Sequence, residues 1–129
     1  MTKQNISEGL KIFLREQIQT VFRLEVLLLL HRNRSRSFTA ADVDQELGFD
    51  KDLAQQQLTK LVTLQLVEAD TEQRNYRYGP ANAALSSIVD QLAANYSRQR
   101  VPILSVILAK HPDRTRLFSE AFRMIRTND

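Results

Sequence analysis

The middle of the chain constrains the fold most, because it predicts two short helices joined by a tight turn. Thr39 and Asp42 have the spacing of a capping box, in which a hydroxyl and a carboxylate satisfy the free amides that begin a helix. Val43 and Leu47 are expected to be its buried positions. Gly48 is a typical residue to end such a helix.

A second helix is predicted from Asp50, a good N-cap residue, to about Gln65. At about 100° per residue, its side chains separate into two halves. The apolar half holds Leu53, Ala54, Leu58, Leu61, Val62 and Leu64, and the polar half holds Asp52, Gln55, Gln56, Thr59, Lys60 and Thr63. Two short helices joined by a turn that contains glycine form a helix-turn-helix unit.

The segment before this unit predicts further helix. Its apolar residues follow steps of three and four, which fits either one long helix or two that break near Gln19 and Thr20. These residues are Leu10, Phe13, Leu14, Ile18, Val21, Leu24 and Leu28. A basic loop follows at 31–36, and Phe38 could add a short extended stretch.

The segment after the unit predicts a hairpin and then helices. Residues 66–70 and 75–78 read as two short strands, with Tyr76 and Tyr78 on one face. Gly79 and Pro80 end the second strand, and Pro80 can start the next helix. Periodicity does not decide between helix and strand at 101–109. We favour a largely buried helix there and expect a last helix after Asp113.

The order helix, helix, turn, helix, hairpin, helix is that of a winged helix-turn-helix, a mainly α fold with a small β-hairpin wing. Residues 21–78 resemble the MarR-like and PadR-like winged-helix transcription regulators of bacteria. The resemblance rests on LEVLLLL at 24–30, FTAADVDQELG at 38–48 and LTKLVTLQLV at 58–67. Gln65 stands where glycine is common in such proteins. LFSEAFR at 117–123 is similar to the ending of a poorly characterised group of bacterial winged-helix proteins.

These patterns divide the chain into an N-terminal helix at 1–19, a winged helix-turn-helix at 20–79 and C-terminal helices at 80–129. The terminal helices hold more apolar surface than a winged-helix core of this size needs. In the regulators that the chain resembles, such helices form a two-fold dimer interface. We therefore expect a homodimer through them.

The resemblance implies a transcription regulator that reads double-stranded DNA with the helix at 50–65 and the wing. Gln can pair with adenine, Lys with guanine, and Thr methyl groups can touch thymine. The expected base contacts are Gln55, Gln56, Thr59, Lys60 and Thr63. The expected backbone contacts are Arg32, Arg34 and Arg36 in the loop and Arg74 and Arg77 in or beside the wing. An ordinary solvated helix face is the other interpretation.

The distribution of charge favours a second hypothesis for the function. Residues 37–72 hold eight acidic residues against two lysines, a net charge of −6, whereas DNA-binding faces are normally basic. Residues 98–126 have a net charge of +5. The alternative is therefore a winged-helix adaptor that binds protein through its acidic unit or its basic C-terminal residues. The arginines of that basic region are Arg98, Arg100, Arg114, Arg116, Arg123 and Arg126.

Signals of other functions are weak in this sequence. His31 and His111 have no further ligands at metal-binding spacing, and no phosphate loop or nucleophile motif occurs. We therefore expect no catalytic residues, no metal and no cofactor. The longest apolar run, at 26–30, is too short to cross a bilayer, and the chain contains no cysteine. A cytoplasmic location without membrane attachment is expected.

Overall fold

The computed structural model describes residues 6–48 and 50–109. The chain is mainly helical, with one small two-stranded antiparallel sheet. Its elements are α1 (Glu8–Phe13), which continues into a π-helical turn (Leu14–Ile18), α2 (Val21–Arg32), α3 (Ala40–Leu47), α4 (Lys51–Thr63), β1 (Val67–Ala69), β2 (Tyr76–Tyr78), α5 (Ala83–Tyr96) and α6 (Arg100–Leu108). Within the described ranges, no helix is long and apolar enough to cross a membrane.

Helix α2 is buried on most of its sides. Its buried residues are Arg23, Leu24, Val26, Leu27, Leu28, Leu29 and Leu30. A helix that is apolar nearly all round must be surrounded by other elements. The π-helical turn, α3, α4 and β2 all pack against it. Helix α2 is therefore the centre of the described core.

The helical pattern before the central unit breaks at Gln19 and Thr20, which decides between the two alternatives left by the sequence. Gln19 adopts a left-handed conformation with φ of 69° and ends the π-helical turn. Thr20 then caps α2, because its hydroxyl accepts a 3.0 Å hydrogen bond from the amide of Arg23. The first helix and α2 are separate elements for this local reason.

The predicted start and stop signals of α3 and α4 are confirmed. Thr39 and Asp42 form a reciprocal capping box, with both hydrogen bonds at 3.0 Å. Gly48 ends α3 in a left-handed conformation with φ of 77°, and Asp50 caps α4 by accepting from the amide of Leu53. Helix α4 ends at Thr63, slightly before the predicted boundary.

The hairpin and the short extended stretch are also confirmed. Val67 pairs with Tyr78 and Ala69 with Tyr76 in the antiparallel register. On its other edge, β2 forms an isolated bridge in which Phe38 exchanges two backbone hydrogen bonds with Tyr76, at 2.7 and 2.8 Å. Tyr76 and Tyr78 are both buried, as their shared face predicts. β2 therefore lies between β1 and the segment that contains Phe38.

The C-terminal helices differ from expectation in two respects. Helix α5 begins at Ala83, capped by Asn82, so Pro80 does not lie in its first turn. The helical interpretation of residues 101–109 is confirmed by α6, but the expected burial is wrong. Val101 is 72% exposed and Leu108 63% exposed, because α6 packs on the π-helical turn and α5 with one side only.

The predicted helix after Asp113 lies outside the described residues. So do Arg114, Arg116, Arg123 and Arg126 of the predicted basic region.

Gln65 offers a test of the backbone after α4. Its φ of 68° is left-handed, which costs a residue with a side chain about 1–2 kcal/mol. Glycine removes this strain but loses about 0.5–1 kcal/mol more chain entropy on folding. We therefore expect Gln65→Gly to raise the free energy of unfolding by roughly 0.5–1 kcal/mol. Urea unfolding monitored by circular dichroism measures this change.

Gln19→Gly is the matched control, because Gln19 is also left-handed but its side chain is bonded. Its amide oxygen accepts from Arg23 and its amide nitrogen donates to the carbonyl of Glu16. Loss of these bonds should cancel the relief of strain. A urea midpoint of Gln65→Gly at or below that of the original chain would contradict the prediction.

Candidate functional site

Four of the five predicted base-contacting residues form one exposed stripe on α4. Gln56, Thr59, Lys60 and Thr63 are all exposed and are spaced by three, one and three residues, which places them along one side of the helix. The opposite side of α4 is packed into the core and carries the buried residues Ala54, Gln57, Leu58 and Leu61. Contacts with α2 and α3 therefore turn the stripe outward.

Gln55, the fifth predicted base contact, is bonded within the protein. It is half-buried, and its amide nitrogen donates to the hydroxyl of Tyr76 at 2.6 Å and to that of Thr59 at 3.2 Å. To reach a base, this side chain would have to give up both hydrogen bonds. Its place in the structure is at the junction between α4 and the hairpin.

Tyr76 connects three segments of the candidate site. Its backbone pairs with Phe38, and its hydroxyl accepts from Gln55 while donating to the carbonyl of Gln73 at 2.8 Å. The ring is only 1% exposed, so these polar contacts sit at the edge of the core. Tyr76 thereby fixes the loop before α3, the hairpin and α4 relative to one another.

The loop arginines lie against aromatic rings. The guanidinium carbon of Arg36 is 4.1 Å from the centre of the Phe38 ring, and that of Arg34 is 5.4 Å from the centre of the Tyr78 ring. Such cation–π contacts restrain the charged ends while leaving them exposed to solvent. Arg32 is exposed at the last turn of α2.

Most of these arginines also face carboxylates. Arg36 lies 4.0 Å from Asp42 and Arg34 lies 3.7 Å from Asp90. The arginines of the hairpin form similar pairs, Arg74 with Glu72 at 3.8 Å and Arg77 with Glu68 at 3.6 Å. Long, exposed ion pairs of this kind contribute at most about 1 kcal/mol each. An incoming phosphate can therefore replace the carboxylates at small cost.

The turn of the hairpin between β1 and β2 is held by Asp70. Its carboxylate accepts from the side-chain amide of Asn75 at 2.8 Å and from the backbone amide of Arg74 at 2.9 Å. The hydrogen bond from Asn75, followed by that from Arg74, lowers the pKa of Asp70. The folded chain therefore favours the ionised carboxylate of Asp70. The stability that these hydrogen bonds contribute is present at pH values above the ordinary pKa of aspartate and is lost as the pH falls through the lowered pKa of Asp70.

His31, Arg34 and Asp90 connect the basic loop to α5. Nε2 of His31 is 2.9 Å from Asp90 and 2.8 Å from a guanidinium nitrogen of Arg34. A single ring nitrogen cannot both donate to Asp90 and accept from Arg34. When Nε2 carries a proton it can donate to Asp90, and when it carries none it can accept from Arg34. Desolvation, followed by the charge of Asp90, raises the pKa of the adjacent Tyr78.

Sequence reasoning missed a buried polar contact that positions α4. Nε of Arg23 donates to the amide oxygen of Gln57 at 3.1 Å, and its Nη1 donates to the carbonyl of Ile18 at 2.8 Å. Burial lowers the pKa of Arg23. The spacing of Gln57 from Ala54 and Leu61 already places it on the buried side of α4, which was the available signal.

Replacing Gln57 by Leu tests this contact. The variant keeps the volume of the side chain but leaves Nε of a buried guanidinium without its acceptor, which costs about 1–3 kcal/mol. We expect the free energy of unfolding to fall by that amount in urea titrations. Gln56→Leu, on the exposed stripe, should change it by less than about 0.5 kcal/mol. Equal effects of the two substitutions would contradict the role given to Gln57.

A metal centre gains no support in the described ranges, where no group of three or more His, Asp or Glu side chains is arranged to hold an ion. Comparisons of the chain with models of protein families, with curated proteins and with solved structures found no significant match. The candidate site therefore has to be interpreted from its own geometry.

Proposed function

We propose that this chain is a winged helix-turn-helix transcription regulator that binds double-stranded DNA through the exposed stripe of α4. The stripe of Gln56, Thr59, Lys60 and Thr63 is the observation that carries the proposal. Its side chains supply donors, acceptors and methyl groups of the kinds that read base edges in a major groove. A helix is also the element that fits this groove.

The order of the strands supports the winged-helix interpretation. The segment at Phe38 precedes α3, and the hairpin follows α4, yet both meet at β2. The hairpin lies beside α4, to which Gln55 and Tyr76 join it, as expected of a wing. Arg74 and Arg77 would then contact the DNA backbone on one side of the stripe.

Charge sets the expected strength of binding. The acidic residues of 37–72 repel phosphates, so the arginines have to supply the attraction. Their present ion pairs are weak enough to be exchanged for phosphate contacts. We therefore expect modest affinity that falls steeply with salt concentration.

Fluorescence anisotropy with labelled DNA fragments across a salt series tests the proposal. Gln56→Ala and Lys60→Ala should each weaken binding to a selected sequence about tenfold, since a good base contact contributes about 1–3 kcal/mol. Arg32→Ala should weaken binding to all sequences alike and reduce the salt slope by about one unit.

Gln45→Ala is the control, because Gln45 is exposed on α3 and lies outside the stripe. It should bind like the original chain. If no DNA fragment binds even at low salt, or if Gln45→Ala matches Lys60→Ala, the proposal fails.

A second candidate function is favoured by the acidic surface that precedes the stripe. Glu46, Asp50 and Asp52 are exposed near the junction of α3 and α4. A winged-helix adaptor would present these carboxylates to a basic protein partner instead of DNA. Absence of DNA binding at low salt, together with capture of a basic partner that Glu46→Lys abolishes, would support this function over the first.

The proposed regulator acts as a homodimer. Val101 and Leu108 are seven residues apart on α6 and remain exposed, which supports a contact between copies. Light scattering should give twice the mass of one chain for the original protein and the mass of a single chain for the Leu108→Asp variant. A single-chain mass for the original protein would exclude the dimer.

A further inference from the structure

An open groove runs between α1 with its π-helical turn, the end of α4 and the start of α5. Its volume is about 590 Å³, within the range of about 300–1,000 Å³ typical of small-molecule sites. The larger apolar residues of its lining are Ile12, Phe13, Leu64, Leu85 and Ile88. Ile12 is 49% exposed, so the apolar lining is open to an incoming molecule.

The polar lining of the groove is acidic or neutral. Glu16 supplies a carboxylate, and Gln17, Gln65 and Asn82 supply amides, whereas no lysine or arginine among the described residues lines it. The neighbouring Arg15 is directed to Glu8, at 3.9 Å, and Glu16 has no ion pair within the described part of the chain. Glu16 is exposed, and its carboxylate beside these apolar side chains attracts a cation and repels an anion.

The helix ends at the groove reinforce this preference. The last turn of α4 contributes Thr63 and Leu64 to the lining, and the C-terminal end of a helix carries partial negative charge. The N-terminal end of α5 also reaches the groove, but the side chain of Asn82 already accepts from the amide of Leu85 at 2.9 Å. Glu16 and the end of α4 therefore favour a cation, and this cap satisfies one of the amides at the opposing end of α5.

We propose that this groove binds a small organic cation that consists of an apolar ring and an ammonium group. The ring packs between Ile12 and Ile88 and the ammonium group faces Glu16. The groove is connected to α4 in two ways. Thr63 belongs to that helix, and Arg23 of α2 donates both to the carbonyl of Gln17 in the groove lining and to the side chain of Gln57 on α4. The binding proposal stands whether or not the chain binds DNA.

Two probes of matched shape and opposite charge test the proposal on the full chain. These are 2-phenylethylammonium and 3-phenylpropanoate, titrated while the NMR signals of the Ile12, Leu85 and Ile88 methyl groups are recorded. We expect saturable shifts with the ammonium probe at a Kd of about 1 mM or below, as fits a ligand of this size. The carboxylate probe should bind at least about tenfold more weakly.

Two variants and one control separate binding from folding. Glu16→Gln should weaken ammonium binding about fivefold, whereas Glu46→Gln, which removes the same charge from exposed α3, should leave it unchanged. Gly9→Leu would extend a side chain into the groove from α1, where an added Cβ meets no atom within 4 Å. Because leucine is a better helix former than glycine, this variant should melt at a higher temperature yet lose binding.

Three results would overturn the proposal. They are equal affinity for the two probes, no saturation below about 10 mM ammonium probe, and unchanged binding by a folded Glu16→Gln variant.

Discussion

Burial of α2 is the constraint on which the rest of the structure depends. Its five leucines would each contribute about 1.5–3 kcal/mol on burial, more than any polar contact observed around the candidate site. Since α2 packs against the π-helical turn, α3, α4 and β2, each of these elements takes its position from it. The weaker polar contacts of Arg23 and Tyr76 then set the orientation of elements that burial has already brought together.

The orientation of α4 and the charges around its exposed stripe depend on different kinds of contact. Buried contacts to Gln57 and Tyr76 hold α4 in place and present its polar stripe. The charges around that stripe sit on exposed side chains in long ion pairs, so their partners can change without disturbing the fold. The geometry of α4 is compatible with the DNA binding proposed for it, whereas the acidic residues of 37–72 would lower the affinity of that binding.

Much of the local structure could be predicted because its causes are local. The capping box of Thr39 and Asp42, the glycine stop at Gly48 and the cap at Asp50 each act within a few residues. The exposed stripe of α4 also follows from helical periodicity, apart from Gln55. The half-buried position of Gln55 could not be predicted because its partner Tyr76 lies 21 residues away, on a strand whose position depends on the whole core.

The sequence by itself determined most of the helices and strands, where most of them begin and end, and which side of α4 is polar, because hydrogen bonding and periodicity act over short distances. It did not decide between helix and strand at 101–109. Only the tertiary structure decided what each side faces. It joined Arg23 to Gln57 across 34 residues, left Val101 and Leu108 exposed, and formed the groove beside Glu16 from three separate helices. The physical reason is that the spacing of residues along a helix or strand defines which of its sides is apolar. Which other element contacts that side depends on the packing of the complete core.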